Sequence, residues 1–329
     1  MPQRFRLLTE AHVASLLPMG DLITAMEGAL MRFSAREVLQ PVRTVLMVGP
    51  QQGYFGLMPA YVPAPAQLGA KIVTVFGDNH TKGLPSHLAT ILLLDPDTGA
   101  LIALMDGRFI TEARTAAVSA VSARHLARAD ATTMAIIGTG VQAKSHLEAM
   151  AHVRPLKDVR VWSPNPASRQ RFVGEMAGHT AARLTATDTA EAAVRGADIV
   201  VLVTSSPTPV IDDAWVAPGT HVISVGACRP TQREMAPALV ARARLVVDSK
   251  AAALVESGDV VLGIRDGLFT DAHVAGELGA IAAGRLPGRT SGAEVTIFKS
   301  LGMAVEDVVA ADLVYRRAVE TGAGTTLDL

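Results

Sequence analysis

The stretch Met134-Ala-Ile-Ile-Gly-Thr-Gly-Val-Gln-Ala143 constrains the fold of this chain more than any other. An apolar run that passes into Gly138-x-Gly140-x-x-Ala143 reads as a strand turning sharply into a helix, with the helix's free N–H groups offered to an anion. The first glycine allows the tight turn, the second lets backbone approach a pyrophosphate, and the small third residue lets helix and sheet pack closely. Ala131 to Ile137 reads as a buried strand, Val141 to Ala151 as a helix and Asp158 to Trp162 as a second strand. The motif therefore sits in a βαβ unit of the length that a dinucleotide site requires.

Elsewhere the chain alternates between two kinds of pattern. Thr9-Glu10 opens a helical periodicity through Leu16, Leu17, Leu22, Met26 and Leu30, interrupted at Pro18-Met19-Gly20. Short β-like runs follow at Arg43 to Val48, Tyr54 to Met58, Ala70 to Phe76, Ala89 to Leu94 and Leu101 to Met105. The turn Asp95-Pro-Asp-Thr-Gly99 between two of them predicts an antiparallel hairpin. From Asp130 strands near Met134, Val159, Arg183, Ile199, His221 and Leu245 alternate with helical stretches, which predicts a six-stranded doubly wound parallel sheet. Helical segments are expected near Lys250 to Glu256 and Ala272 to Ala283. A terminal helix from Ala304 to about Ala318 is apolar around much of its circumference and must pack on something, most simply the N-terminal unit. The fold class is thus α/β, a doubly wound Rossmann domain over 116–303 with a split α+β domain made of 1–115 and 304–329.

Composition narrows the partner. The 329 residues are 49% apolar with a formal net charge of −1, so the chain has ample core and no basic face for nucleic acid. Aromatic residues make up only 4%, too few for base-stacking platforms. The single cysteine, Cys228, excludes an intrachain disulfide and suits the cytoplasm, and the N-terminus lacks the apolar run of a signal peptide or membrane span. No metal is expected: His12, His80, His87, His125, His146, His152, His179, His221 and His273 form no convincing ligand set.

The motifs Gln40-Pro-Val-Arg-Thr44, Gly56-Leu-Met-Pro-Ala-Tyr61, Lys71-Ile-Val-Thr74, Pro85-Ser-His87, Met105-Asp-Gly107, Ile110-Thr-Glu-Ala-Arg-Thr-Ala-Ala117, Gly138-Thr-Gly-Val-Gln-Ala143, Asp248-Ser-Lys-Ala-Ala-Ala253 and Glu256-Ser-Gly-Asp259 occur in order along nearly the whole chain. Together they resemble the ornithine cyclodeaminase/mu-crystallin family. The resemblance implies a dinucleotide domain carried within a split α+β domain that supplies substrate residues and a dimer interface. Cyclodeaminases of that family carry an aspartate where this chain has Cys228 and a Pro-Gly-Lys run where it has Pro230-Thr231-Gln232. Gly226-Ala-x-Arg-Pro-x-x-Arg-Glu234 instead resembles the mu-crystallin branch, which implies NAD(P)H-dependent reduction of small cyclic imino acids to L-proline or L-pipecolate. An ornithine cyclodeaminase-type lyase, a related amino-acid dehydrogenase and a non-catalytic dinucleotide-binding protein stand as alternatives.

On that resemblance Arg43 and Arg114 are expected to hold the substrate carboxylate in a guanidinium fork, with Lys71 beside the C=N nitrogen or the carboxylate as the catalytic group. Two arginines and partial burial should lower the Lys71 pKa. The expected cofactor contacts are Ser86, Arg114, Gly138, Gly140, Val141, Gln142, Ser163, Asn165, Arg169, Thr204, Val225, Gly226 and Ser300. No acid occupies Val161-Trp-Ser-Pro-Asn-Pro-Ala-Ser-Arg169, where an NAD enzyme presents one to the ribose; Ser163, Asn165, Ser168 and Arg169 could receive a 2′-phosphate, which favours NADP(H) over NAD(H). His87 is read equally as a supporting or a structural histidine, Cys228 as an apolar filler after a strand. Asp248, Glu256 and Asp259 suit capping and pairing as well as chemistry.

Overall fold

The computed structural model describes residues 3–50 and 53–329 and is a mixed α/β structure with two sheets. It divides into two compact units, the chain up to Arg114 with Met303–Leu329, and Thr115–Gly302.

The first unit opens on strand β1 (Arg4–Leu8), followed by helices α1 (Glu10–Leu16) and α2 (Met19–Ser34) and by β2 (Thr44–Val48), β3 (Gly53–Pro63), β4 (Ala66–Val75), β5 (His87–Leu94) and β6 (Leu101–Asp106). Helix α3 (Arg108–Leu126) contains the boundary between the units. The predicted turn joins β5 to β6, with Asp95 Oδ1 accepting the N–H groups of Asp97 and Thr98. β1 was not foreseen. It lies in the sheet parallel to β6, a partner almost a hundred residues away, so local pattern could not reveal it.

Along β4 inward and outward positions alternate, and Gln67, Gly69, Lys71 and Val73 share the buried face. The last helix of the chain, Ala304–Thr321, packs against β3, β4 and β5 and against α1 and α2, as its apolar circumference requires. Gly69 makes that approach possible: a Cβ there would lie 2.6 Å from Leu92 O and 3.3 Å from Val308 Cγ2.

The second unit carries β7 (Thr133–Ile137), α4 (Val141–Ala151), β8 (Asp158–Trp162), α5 (Pro166–Met176), β9 (Arg183–Ala186), α6 (Ala190–Val194), β10 (Ile199–Leu202), β11 (His221–Ser224), α7 (Pro237–Arg242), β12 (Arg244–Val247), α8 (Lys250–Glu256), α9 (Gly258–Arg265), β13 (Val274–Glu277), α10 (Leu278–Ala282) and β14 (Thr296–Lys299). The terminal helix of the first unit is then α11, and β15 (Thr325–Asp328) closes the chain antiparallel to β1.

All strands of the second unit are parallel, in the order β13-β12-β14-β11-β10-β7-β8-β9. The sheet has eight strands, where the sequence pattern predicted six. β13 falls inside the expected helix over 272–283 because Val-Ala-Gly-Glu carries little strand signal, and Gly276 takes φ +157°. β14 is four fully buried residues inserted between β11 and β12, a pairing set by the sheet and not by its own period. Its insertion brings the end of the Thr-Ile-Phe-Lys run to the same sheet edge as the glycine loop.

Candidate active site

In the first unit three elements converge on a buried charge cluster. β4 supplies Lys71, which is only 2% exposed and flanked across the sheet by Met58 and Ile91. α3 supplies Thr111 and, one turn on, Arg114. α11 supplies Glu306 and Asp307 in its first turn, both fully buried. Lys71 Nζ lies 2.6 Å from Asp307 Oδ2 and donates to Thr111 Oγ1 at 3.3 Å. Arg114 Nε donates to Asp307 Oδ1 at 3.0 Å, and its Nη1 bonds Glu306 Oε2. Thr111 is itself oriented by donation to Gly107 O at 2.7 Å.

Burial pulls the Lys71 pKa from 10.5 to about 8; Asp307 opposes this, and Arg114 and Arg43 add to it. The same arginines and Lys71 hold the Asp307 carboxyl below its ordinary value against the opposite pull of burial. Arg43 adds to the positive field of Lys71 and Arg114 here, lowering the pKa of both Lys71 and Asp307. His87, at the start of β5, is depressed to about 4 by burial and by Lys71 and Arg114, so the imidazole is neutral at neutral pH.

Lys71 lies at the centre of this cluster, and Arg43 acts on it and on Asp307 electrostatically. The expectation for Arg114 needs revision. Its Nε and Nη1 already bond buried acids, so it is not an open fork. Glu306 and Asp307 were missed. Their signal was present: two adjacent acids in the first turn of a helix otherwise apolar on most sides.

In the second unit the sequence-predicted cofactor residues gather at the C-terminal ends of parallel strands, where open α/β sheets bind ligands. Gly138 follows β7, Thr204 follows β10, Val225 and Gly226 follow β11, and Ser300 follows β14. Gly138 takes φ +118°, and a Cβ there would meet Val203 O at 2.6 Å, so this turn admits glycine alone. Gly140 caps α4 without any side-chain hydrogen bond, and the place of its Cβ is open space. Val141 is half exposed. Gln142 Oε1 and Ser300 Oγ are buried without hydrogen-bond partners. A helix N-terminus with no side-chain cap and open space beside Gly140 fits a dinucleotide pyrophosphate.

The segment after β8 corrects one expectation. Arg169 is buried, and its Nη1 donates to Thr187 O at 2.7 Å and Asp188 O at 2.9 Å, which commits the guanidinium to a loop. With Phe172 and Met176 it forms the inward stripe of α5, a spacing visible in the sequence. Asn165 Oδ1 caps α5 through the Ala167 and Ser168 N–H groups, and Ser163 Oγ accepts from Thr139 and donates to Asn165 O. These side chains therefore shape the loop.

Ser86, which donates to Gly77 O at 3.5 Å, and Arg114 belong to the first unit. Cys228 is exposed, with Sγ 3.1 Å from Val225 O, so it is not the buried filler expected. Asp248 accepts the Leu301 and Gly302 N–H groups and so ties the end of β12 to the turn after β14. Among the described residues no group of three His, Cys, Asp or Glu is placed to hold a metal; the His80 side chain lies outside them.

Comparison with known proteins bears on both sites. The model of the ornithine cyclodeaminase/mu-crystallin family matches residues 4–322. Ketimine reductase mu-crystallin of Rattus norvegicus is 41% identical over 89% of this chain and 91% of its own length. The solved Delta(1)-pyrroline-2-carboxylate reductase of Thermococcus litoralis, in complex with NADH and L-proline, superposes with a TM-score of 0.95 at 38% identity, covering 98% of this chain and 99% of that one. An archaeal alanine dehydrogenase dimer with bound NAD gives a TM-score of 0.94 at 30% identity, with 99% of each chain covered.

Proposed function

The chain belongs to the ornithine cyclodeaminase/mu-crystallin family, and on that premise we propose that it is an NAD(P)H-dependent reductase of small cyclic imino acids, the five-membered pyrroline or six-membered piperideine 2-carboxylates. The observation that carries this reading is the buried cluster of Lys71, Arg114, Glu306 and Asp307 with Arg43 beside it. A bound reduced dinucleotide supplies the hydride. The protein's own groups supply the rest. The cations gathered here, Arg43, Lys71 and Arg114, anchor the substrate carboxylate. Lys71, poised near pH 8, is protonated at neutral pH and gives the imine nitrogen its proton, which makes the ring carbon electrophilic. Asp307 keeps Lys71 charged despite its burial, and neutral His87 adds no further positive charge.

The absence of a carboxylate after β8 favours NADP(H) over NAD(H), since nothing there repels a 2′-phosphate. Arg169 gives this preference no support. The enzyme acts as a homodimer in the cytoplasm. Supporting the dimer, β2 is an edge strand whose Val45, Leu46, Met47 and Val48 are all exposed, an apolar row that a second copy would cover.

The test is absorbance at 340 nm with NADPH and, separately, NADH, against five- and six-membered cyclic 2-imino acids. Oxidation that requires the imine, and that is abolished in Lys71→Ala while dinucleotide binding persists, is the expected result. Ammonia released from ornithine without net cofactor change would instead mark a lyase. Silence in both assays would leave a binding protein.

A further inference from the structure

Among the charged side chains buried in the second unit, Glu234, Asp259 and Lys299 lie together and take no part in the chemistry above. Glu234 collects donors from two loops. Its Oε1 accepts the N–H and the hydroxyl of Thr204, each at 2.8 Å, from the loop after β10. Its Oε2 accepts the N–H of Gly226 at 2.6 Å and of Ala227 at 3.2 Å, from the loop after β11. Asp259, near the start of α9, accepts the N–H groups of Glu234 and Met235 and so holds the chain that carries the carboxylate. Lys299, the last residue of β14, stands 3.4 Å from Asp259 Oδ2 and donates to Ser224 Oγ at 3.1 Å. Gly226 admits this closeness, because a Cβ there would lie 2.0 Å from Thr204 O and 2.5 Å from Glu234 Oε1.

A buried ionic cluster is weak evidence for stability, since desolvation offsets much of the attraction. What it does is select one arrangement of its donors. Here the donors are backbone groups of the ends of β10 and β11, with β14 tied in through Lys299. In a doubly wound sheet the first βαβ half, here β7 to β9, serves the adenosine side, and the strands beyond the switch point serve the other mononucleotide. β10, β11 and β14 are those strands.

We propose that Glu234, braced by Asp259 and Lys299, is a positioning residue for the nicotinamide half of the dinucleotide, setting the loops at Thr204 and Val225-Gly226 without itself meeting the cofactor. This rests on the reading of the second unit as the dinucleotide site. Replacing Glu234 with glutamine turns an NH2 group against obligate donors in either orientation: the Thr204 N–H on one side, or those of Gly226 and Ala227 on the other. A buried N–H left facing a donor shifts such an equilibrium by about tenfold or more.

The experiment is isothermal titration of NADH and of ADP-ribose, which lacks nicotinamide, with wild type, Glu234→Gln and the milder Ser224→Ala. Wild type should bind both. Glu234→Gln should lose about tenfold or more for NADH and less than about threefold for ADP-ribose, and Ser224→Ala should show a smaller loss of the same selectivity. Equal losses for the two ligands, or none, would overturn the proposal, and Ser224→Ala decides alone if Glu234→Gln does not fold. A wild type that binds neither of these ligands nor NADPH would refute the dinucleotide reading itself.

Discussion

Asp307→Asn isolates the residue that the cluster depends on. Lys71 titrates near 8 in place of 10.5, so holding it charged in its buried site costs about 3 kcal/mol. That figure is what remains after Asp307, 2.6 Å away, has worked against burial and two arginines. An opposite charge at such range raises a lysine by about 1–3 pH units, so the variant should titrate at about 5–7. At pH 7 the protonated fraction of Lys71 then falls from about nine-tenths to between about a half and a hundredth. The rate should drop by about twofold to a hundredfold if that proton is the one the imine receives. The assay is kcat/KM for a cyclic imino acid from pH 5.5 to 9.5, expressed as the ratio of wild type to variant so that titration of the substrate cancels. The ratio should be largest above pH 7 and shrink toward pH 5.5. A variant whose alkaline limb still breaks near pH 8 would show that Asp307 does not set the charge on Lys71.

Other substitutions probe other parts of the argument. Arg169→Ala should lower thermal stability, because two carbonyls lose a charged donor at about 1.5–3 kcal/mol, yet leave the ratio of kcat/KM for NADPH and NADH within about twofold; a reversal of cofactor preference would restore Arg169 as a phosphate contact. Gly226→Ala should abolish dinucleotide binding, since its Cβ would sit 2.0 Å from Thr204 O, and near-normal NADH fluorescence titration would count against the loop geometry. Buried His146, bonded to Ser119 Oγ and Gln142 O, titrates near 4, and buried His221, between Ser122 and Thr296, near 3. Both are neutral in the fold, whereas the unfolded chain binds protons as pH falls through 6.5, so stability is lost below that pH. The loss at pH 4.5 is on the order of 2–3 kcal/mol for each. Melting temperatures that do not fall between pH 7 and 4.5, or that fall as far in His221→Gln, would contradict this.

Much of the second unit was open to reading because parallel strands buried on both faces announce themselves as apolar runs, and because the turn at Gly138 must be glycine whatever surrounds it. The hairpin at Asp95 was legible for a similar reason: its hydrogen bonds close within five residues. Lys71 was found through the resemblance to a known family, which also gave it its role.

What escaped was everything settled by partners distant in the chain. β1, β13, β14 and β15 are fixed by pairing with strands distant in the chain, which no local pattern shows. Arg169 was read as a contact for a 2′-phosphate until α5 turned it inward. Glu306 and Asp307 look, in sequence, like ordinary acids that favour a helix N-terminus; only the docking of α11 onto β4 turns them into the counter-charges of Lys71 and Arg114. Glu234 reads as one polar residue in a loop, and becomes a receiver for two strand ends once β10 and β11 lie side by side. Local chemistry is thus written residue by residue, because backbone sterics and apolar periodicity act over a few positions. The charge state of a buried group is decided only when packing removes water and brings its partners within hydrogen-bond range.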